Sequence, residues 1–118
     1  MNKAAIVVLA DTETKESLGR VVNAMKAVEE YASEGADVKF YFDGAGTKWP
    51  AALLESGHDY HDLFESVKSH VTGVCEYCAG AFDVKDTLVE AGIPLSSDHD
   101  GHFSYADLTS AGYPVITF

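Results

Sequence analysis

Residues 4–10 read AAIVVLA, a continuous apolar run rich in β-branched side chains. A strand with one wet face alternates apolar and polar positions. A run with no polar member needs cover on both faces. This segment therefore predicts a buried, parallel-type strand, and with it an α/β protein whose sheet lies between helical layers.

The rest of the chain fits that frame. DTETKES (11–17) offers N-caps at Asp11, Thr12 and Thr14. Leu18, Val21, Val22, Met25 and Val28 then recur at helical spacing, which predicts a helix over about 14–33 that closes near Gly35. DVKFYF (37–42) reads as the second strand and ends at the turn Asp43-Gly44-Ala45-Gly46. Residues 49–54 read as a short helix with Pro50 in its first turn, and 58–70 as another with Leu63, Phe64 and Val67 inward. The third strand is read over 70–75. A helix over 79–90, broken near Asp83, follows it. A short fourth strand (93–95), a polar loop (96–102), a helix (105–111) and a final strand (113–118) complete the chain. The expected architecture is a three-layer αβα sandwich with a mainly parallel sheet of about five strands, and residues 1–118 form a single domain.

Composition excludes some partners. Nineteen acidic residues against eight Lys and Arg give a formal charge of −11. Such a surface repels phosphate backbones and anionic lipid, so neither nucleic acid nor a membrane is an expected partner. The apolar run near the N-terminus breaks at Asp11, too short to span a bilayer, and no small-residue cleavage site follows it. A cytoplasmic location is expected. Thiols there usually stay reduced, which disfavours a structural disulfide and adds weight to a redox, sulfur or metal role for Cys75 and Cys78.

In a parallel sheet, ligands collect at the carboxyl ends of the strands. Three segments meet there: LADTET, FDGAGT and CEYC. Cys75 falls at the end of the third strand and Cys78 in the first turn of the next helix. The helix N-terminus favours thiolate, the nucleophilic form, while Glu76 opposes it. Gly73 and Gly80 are read as leaving room for a second sulfur or a partner. Backbone near Asp11, Thr12, Asp43 and Gly44 is expected to complete the site.

Three stretches together resemble the DsrE/DsrF-like sulfur-relay family: the opening AAIVVLADTETKESLGRVVNAMKAV, the segment VTGVCEYCAGAFDVKDTLVEAGI, and the ending LTSAGYPVITF. Cys75 and Val84 occupy the family's cysteine and turn positions, and Cys78 matches a second cysteine found in several relatives. Asp83 departs from the glycine common at that position. The resemblance implies a sulfur-accepting Cys75 that carries a persulfide, Cys78 as a resolving or assisting thiol, and sulfur donor and acceptor proteins as partners. It also implies a homo- or hetero-oligomer, often a trimer or hexamer; self-association is expected here, and no cofactor is expected.

The five histidines stand at 58, 61, 70, 99 and 102. His99 and His102 follow the fourth strand at the same sheet end, so either can approach Cys75. His58 and His61 are read as solvent-facing. Cys75-x2-Cys78 with His99-x2-His102 also makes a Cys2His2 donor count, which defines an alternative metal-binding module. A non-catalytic oligomeric protein with packed cysteines is the other alternative. The chain lacks the dinucleotide, Walker and GxSxG signatures. Trp49, Tyr41, Phe42, Phe82 and Tyr113 are read as packing residues.

Overall fold

The computed structural model describes residues 2–118. Among these residues five strands form one sheet: β1 (Lys3–Val8), β2 (Asp37–Phe42), β3 (Val71–Cys75), β4 (Leu95–Ser96) and β5 (Val115–Thr117). Their order is β4-β3-β2-β1-β5, and every pair is parallel. The helices are α1 (Lys15–Ser33), α2 (Trp49–Leu53), α3 (His61–Val67), α4 (Glu76–Ala81), α5 (Lys85–Glu90) and α6 (Tyr105–Ser110), with 3-10 turns at Gly44–Lys48 and Lys68–His70. The chain is a three-layer αβα sandwich, as the central apolar run requires. β1 sits between β2 and β5, and its residues 4–8 are fully buried.

The two faces of the sheet are covered unequally. On one, Ile6, Val8, Phe40, Phe42 and Val74 pack against α1, α2, α3 and α5 through Met25, Leu53, Phe64 and Leu88. The other presents Ala5, Val7, Tyr41 and Cys75, covered by Phe103, Leu108 and Tyr113 from the C-terminal segment. Strand residues alternate between faces, so Val74 and Cys75 necessarily join different clusters.

Most element readings match the structure within a residue or two. Thr14 is the N-cap of α1, its hydroxyl accepting from the Ser17 N–H at 3.0 Å. The helix after β3 starts earlier than the sequence indicated, at Glu76, and breaks at Asp83, where φ is +60°. The break tips Phe82 outward to 40% exposure, so it is not a core residue. Trp49 does pack in the core, and its Nε1 donates to Ala10 O at 2.9 Å. His58 and His61 are half-buried and hold the α2–α3 connection. His58 Nδ1 accepts from the Tyr60 N–H, and His61 Nδ1 lies 2.8 Å from Leu53 O.

Two glycines set the rim of the sheet. At Gly46 a Cβ would fall 2.1 Å from Val8 O, so only glycine lets the 3-10 turn lie against the end of β1. At Gly73 a Cβ would fall 1.7 Å from Ser96 Oγ. The space expected there for a visiting sulfur is filled by β4, whereas Gly80 does face open space.

Candidate functional site

The register of β2 and β3 places the cysteine. Their ladder shifts between Phe40 and Tyr41, and the Thr72 hydroxyl accepts from the Phe40 N–H at 3.1 Å. Beyond this irregularity Tyr41 pairs with Gly73 and Phe42 with Val74. The next residues on each strand, Asp43 and Cys75, therefore stand level at the carboxyl rim, on the face of Tyr41. A one-residue slip would turn Cys75 into the opposite core.

The chain then turns directly into α4. Cys75 is its N-cap, and its sulfur accepts from the Cys78 N–H at 3.4 Å. That turn brings Cys78 back over the rim, where its thiol donates to Asp43 Oδ1 at 3.5 Å. Asp43 is held from two sides: the Gly44 N–H donates to Oδ1 at 2.9 Å, and the Tyr105 hydroxyl donates to Oδ2 at 2.7 Å.

The loop after β4 closes the site from above. Asp100 (φ +56°) and Gly101 (φ +85°) fold it back on itself, and His99 and His102 exchange backbone hydrogen bonds across the turn. Gly101 O accepts from the Tyr77 N–H, and the Tyr77 ring stacks on His102 with centroids 5.4 Å apart. This fixes His102 with Nδ1 3.0 Å from Cys75 Sγ. Cys75 has no exposed surface, while Cys78, Asp43 and His102 are half-buried.

Electrostatics correct one expectation. Burial pushes the Cys75 thiol up to about 12, with Cys78 and Asp43 adding to the rise; the N–H of Cys78 opposes it without prevailing. The resting group is therefore a neutral thiol and not the thiolate that a helix start alone would favour. Glu76 is not the acid responsible, since it pairs with Lys85 at 3.2 Å. A thiol 3.0 Å from an imidazole nitrogen is nonetheless placed for proton transfer to it. Burial, together with the hydrogen bond to Asp43, also raises Tyr105, which keeps its hydroxyl a donor.

Of the residues predicted from sequence, the structure brings together Cys75, Cys78, Asp43 and His102. Gly44 joins through its backbone. His99 occupies the opposite arm of the turn, with its backbone paired to His102. Asp11 and Thr12 belong to a neighbouring patch. Lys48 pairs with Asp11, holds its carboxyl below the usual range, and lies over the Phe82 ring at 5.4 Å. Thr12 instead lines a cleft with Trp49 and His58. Sequence reasoning missed Tyr77 and Tyr105, and treated Asp43 as turn backbone. The signal available was Asp43 following a strand that neighbours the cysteine strand.

These features define a class: an all-parallel α/β domain with a thiol–imidazole–carboxylate cluster around one buried cysteine at its strand ends. Two solved structures share the fold. One is the conserved protein BT1422 of Bacteroides thetaiotaomicron, of unknown function, with TM-score 0.63 and 17% identity over 97% of this chain and 94% of that one. The other is the YchN protein of E. coli, with TM-score 0.62 and 20% identity over the whole of both chains. No protein-family model matches the sequence, and no curated protein matches it.

Proposed function

We propose that the chain is a thiol protein of the DsrE/DsrF-like sulfur-relay type, which accepts a sulfane sulfur as a persulfide on Cys75 and passes it on. The observation that carries this reading is Cys75 Sγ lying 3.0 Å from His102 Nδ1, with a second thiol beside it at the strand ends. The sequence resemblance and the fold point the same way.

The chemistry balances without an oxidant. His102 takes the Cys75 proton across their 3.0 Å contact, and the loop that carries it (residues 97–104) then opens to admit the donor. The thiolate attacks the outer sulfur of a donor persulfide. A bond from Cys75 Sγ to that sulfur forms, the donor S–S bond breaks, and the donor leaves as a thiolate that takes the proton from His102. Cys78 lies nearer the surface, and the same exchange between the two cysteines passes the sulfur outward from Cys75. Asp43 positions Cys78.

The partners in this reading are sulfur donor and acceptor proteins and further copies of the chain in a cytoplasmic homo-oligomer. Exposed Tyr77, Phe82 and Val89, and the thin cover over the Tyr41 face, supply apolar surface for such contacts. Among the described residues no helix is long and apolar enough to cross a membrane. The test is intact mass after incubation of reduced, chelator-treated protein with a low-molecular-weight persulfide. Wild type should gain one sulfur atom and Cys75→Ser none. Equal gain by both proteins, or gain by neither, contradicts the reading.

A further inference from the structure

The side chains around Cys75 are also a set of metal donors. Two sulfurs, the His102 imidazole nitrogen and an Asp43 carboxylate oxygen all lie within 4.8 Å of one another. Ligands of a tetrahedral zinc ion, at bond lengths of about 2.0–2.3 Å, stand about 3.3–3.8 Å apart. The Cys75–His102 contact of 3.0 Å and the Cys78–Asp43 contact of 3.5 Å lie close to those separations. A small adjustment of four side chains around one ion completes the geometry.

Three separate parts of the fold supply these donors: the end of β2, the β3–α4 junction and the loop after β4. Cys75-x2-Cys78 has a ligand spacing common in zinc sites. Outer contacts are in place as well. The Cys78 N–H faces Cys75 Sγ, the Tyr105 hydroxyl holds the second oxygen of Asp43, and Tyr77 fixes the plane of His102.

We infer that Cys75, Cys78, Asp43 and His102 form a binding site for a divalent zinc ion. Two sulfurs and an imidazole select a borderline-soft ion over magnesium or calcium. Binding releases the two thiol protons and leaves both cysteines as coordinated thiolates. Four protein ligands leave no open coordination position, so the site is closed. It clamps the 97–104 loop onto the sheet and holds both sulfurs out of exchange. The donor set differs from the Cys2His2 count read in sequence: Asp43 takes the place of His99. The inference does not rest on the sulfur-relay reading. A bound ion blocks sulfur loading, and the two are measured in different states of the protein.

The experiment uses the full chain, reduced, stripped with chelator and titrated with Zn2+ or Co2+ alone. About one Zn2+ per chain should be retained after desalting. The Co2+ form should show tetrahedral ligand-field bands and sulfur-to-cobalt charge transfer. His102→Ala and Asp43→Asn should lose tight binding, and His99→Ala should keep it. Tyr105→Phe, at a partly exposed position, should bind about 10-fold more weakly, because it frees the Asp43 carboxylate without removing a ligand. Circular dichroism on each variant separates lost binding from lost folding. Absence of Co2+ charge-transfer bands in folded wild type overturns the inference, as does wild-type affinity in folded His102→Ala. Sulfur loading of the stripped protein is scored separately, so either reading can fail alone.

Discussion

The buried position of Cys75 makes a quantitative prediction about its reactivity. In Cys78→Ser protein, stripped of metal, Cys75 is the sole thiol. The wild-type pKa of about 12, in place of the ordinary 9.0, corresponds to about 10^3 fewer thiolates at neutral pH; Cys78 adds to that rise, so this is the upper bound for the variant. A more basic thiolate is intrinsically more nucleophilic. With a Brønsted coefficient of about 0.45, that returns a factor of about 20 in thiol–disulfide exchange. The net effect is a rate below that of the same cysteine in unfolded chain by up to about 50-fold, before counting the cost of lifting the 97–104 loop. The assay is stopped-flow reaction with a small aromatic disulfide, in buffer and in urea, across a pH series. The folded rate should keep rising about tenfold per pH step beyond 9, where the unfolded chain levels off. Burial is the largest cause of the rise, so the change at position 78 should leave the direction intact. A folded rate equal to the unfolded one, or a plateau at or below pH 9, would refute the reasoning.

Other consequences concern stability. Between pH 9 and about 12 the unfolded chain has lost the Cys75 proton that the folded protein still holds, so stability should fall as pH rises through that window. Cys75→Ala should flatten part of this slope in urea titrations at fixed pH, and an unchanged slope would argue against it. Gly46→Ala drives a methyl into Val8 O and should cost more than about 2 kcal/mol by the same method. Thr14→Ala removes the α1 cap and should cost about 1 kcal/mol. Asp83→Gly relieves a left-handed residue at the α4–α5 break and should be neutral or stabilising by up to about 1 kcal/mol.

The architecture was legible because its signals are local. AAIVVLA demanded a doubly covered strand, DVKFYF marked β2 to the residue, and α1 announced itself by period and cap. The rim was legible only in part. Cys75 and His102 meet across 27 positions of sequence, through a turn that depends on positive φ at Asp100 and Gly101. Nothing in the spacing of His99 and His102 reveals which one faces the sulfur, since their pairing places them on opposite arms. Asp43 enters through the β2–β3 irregularity, and register across strands is not written in either strand alone. The state of the thiol was misjudged for a related reason. A helix start is visible in sequence, but the loop that buries Cys75 under it is a tertiary event, and desolvation outweighs one N–H contact.

The central claim is that Cys75 accepts and carries the sulfur, with Cys78 as the thiol that takes it onward. Peptide mapping of persulfide after brief and long exposure of stripped protein to a labelled donor tests this most directly. The label should appear on Cys75 at brief exposure and reach Cys78 only afterwards, and Cys78→Ser should still load Cys75. Label that stays on Cys78 at long times, with Cys75 unmodified, would contradict the account.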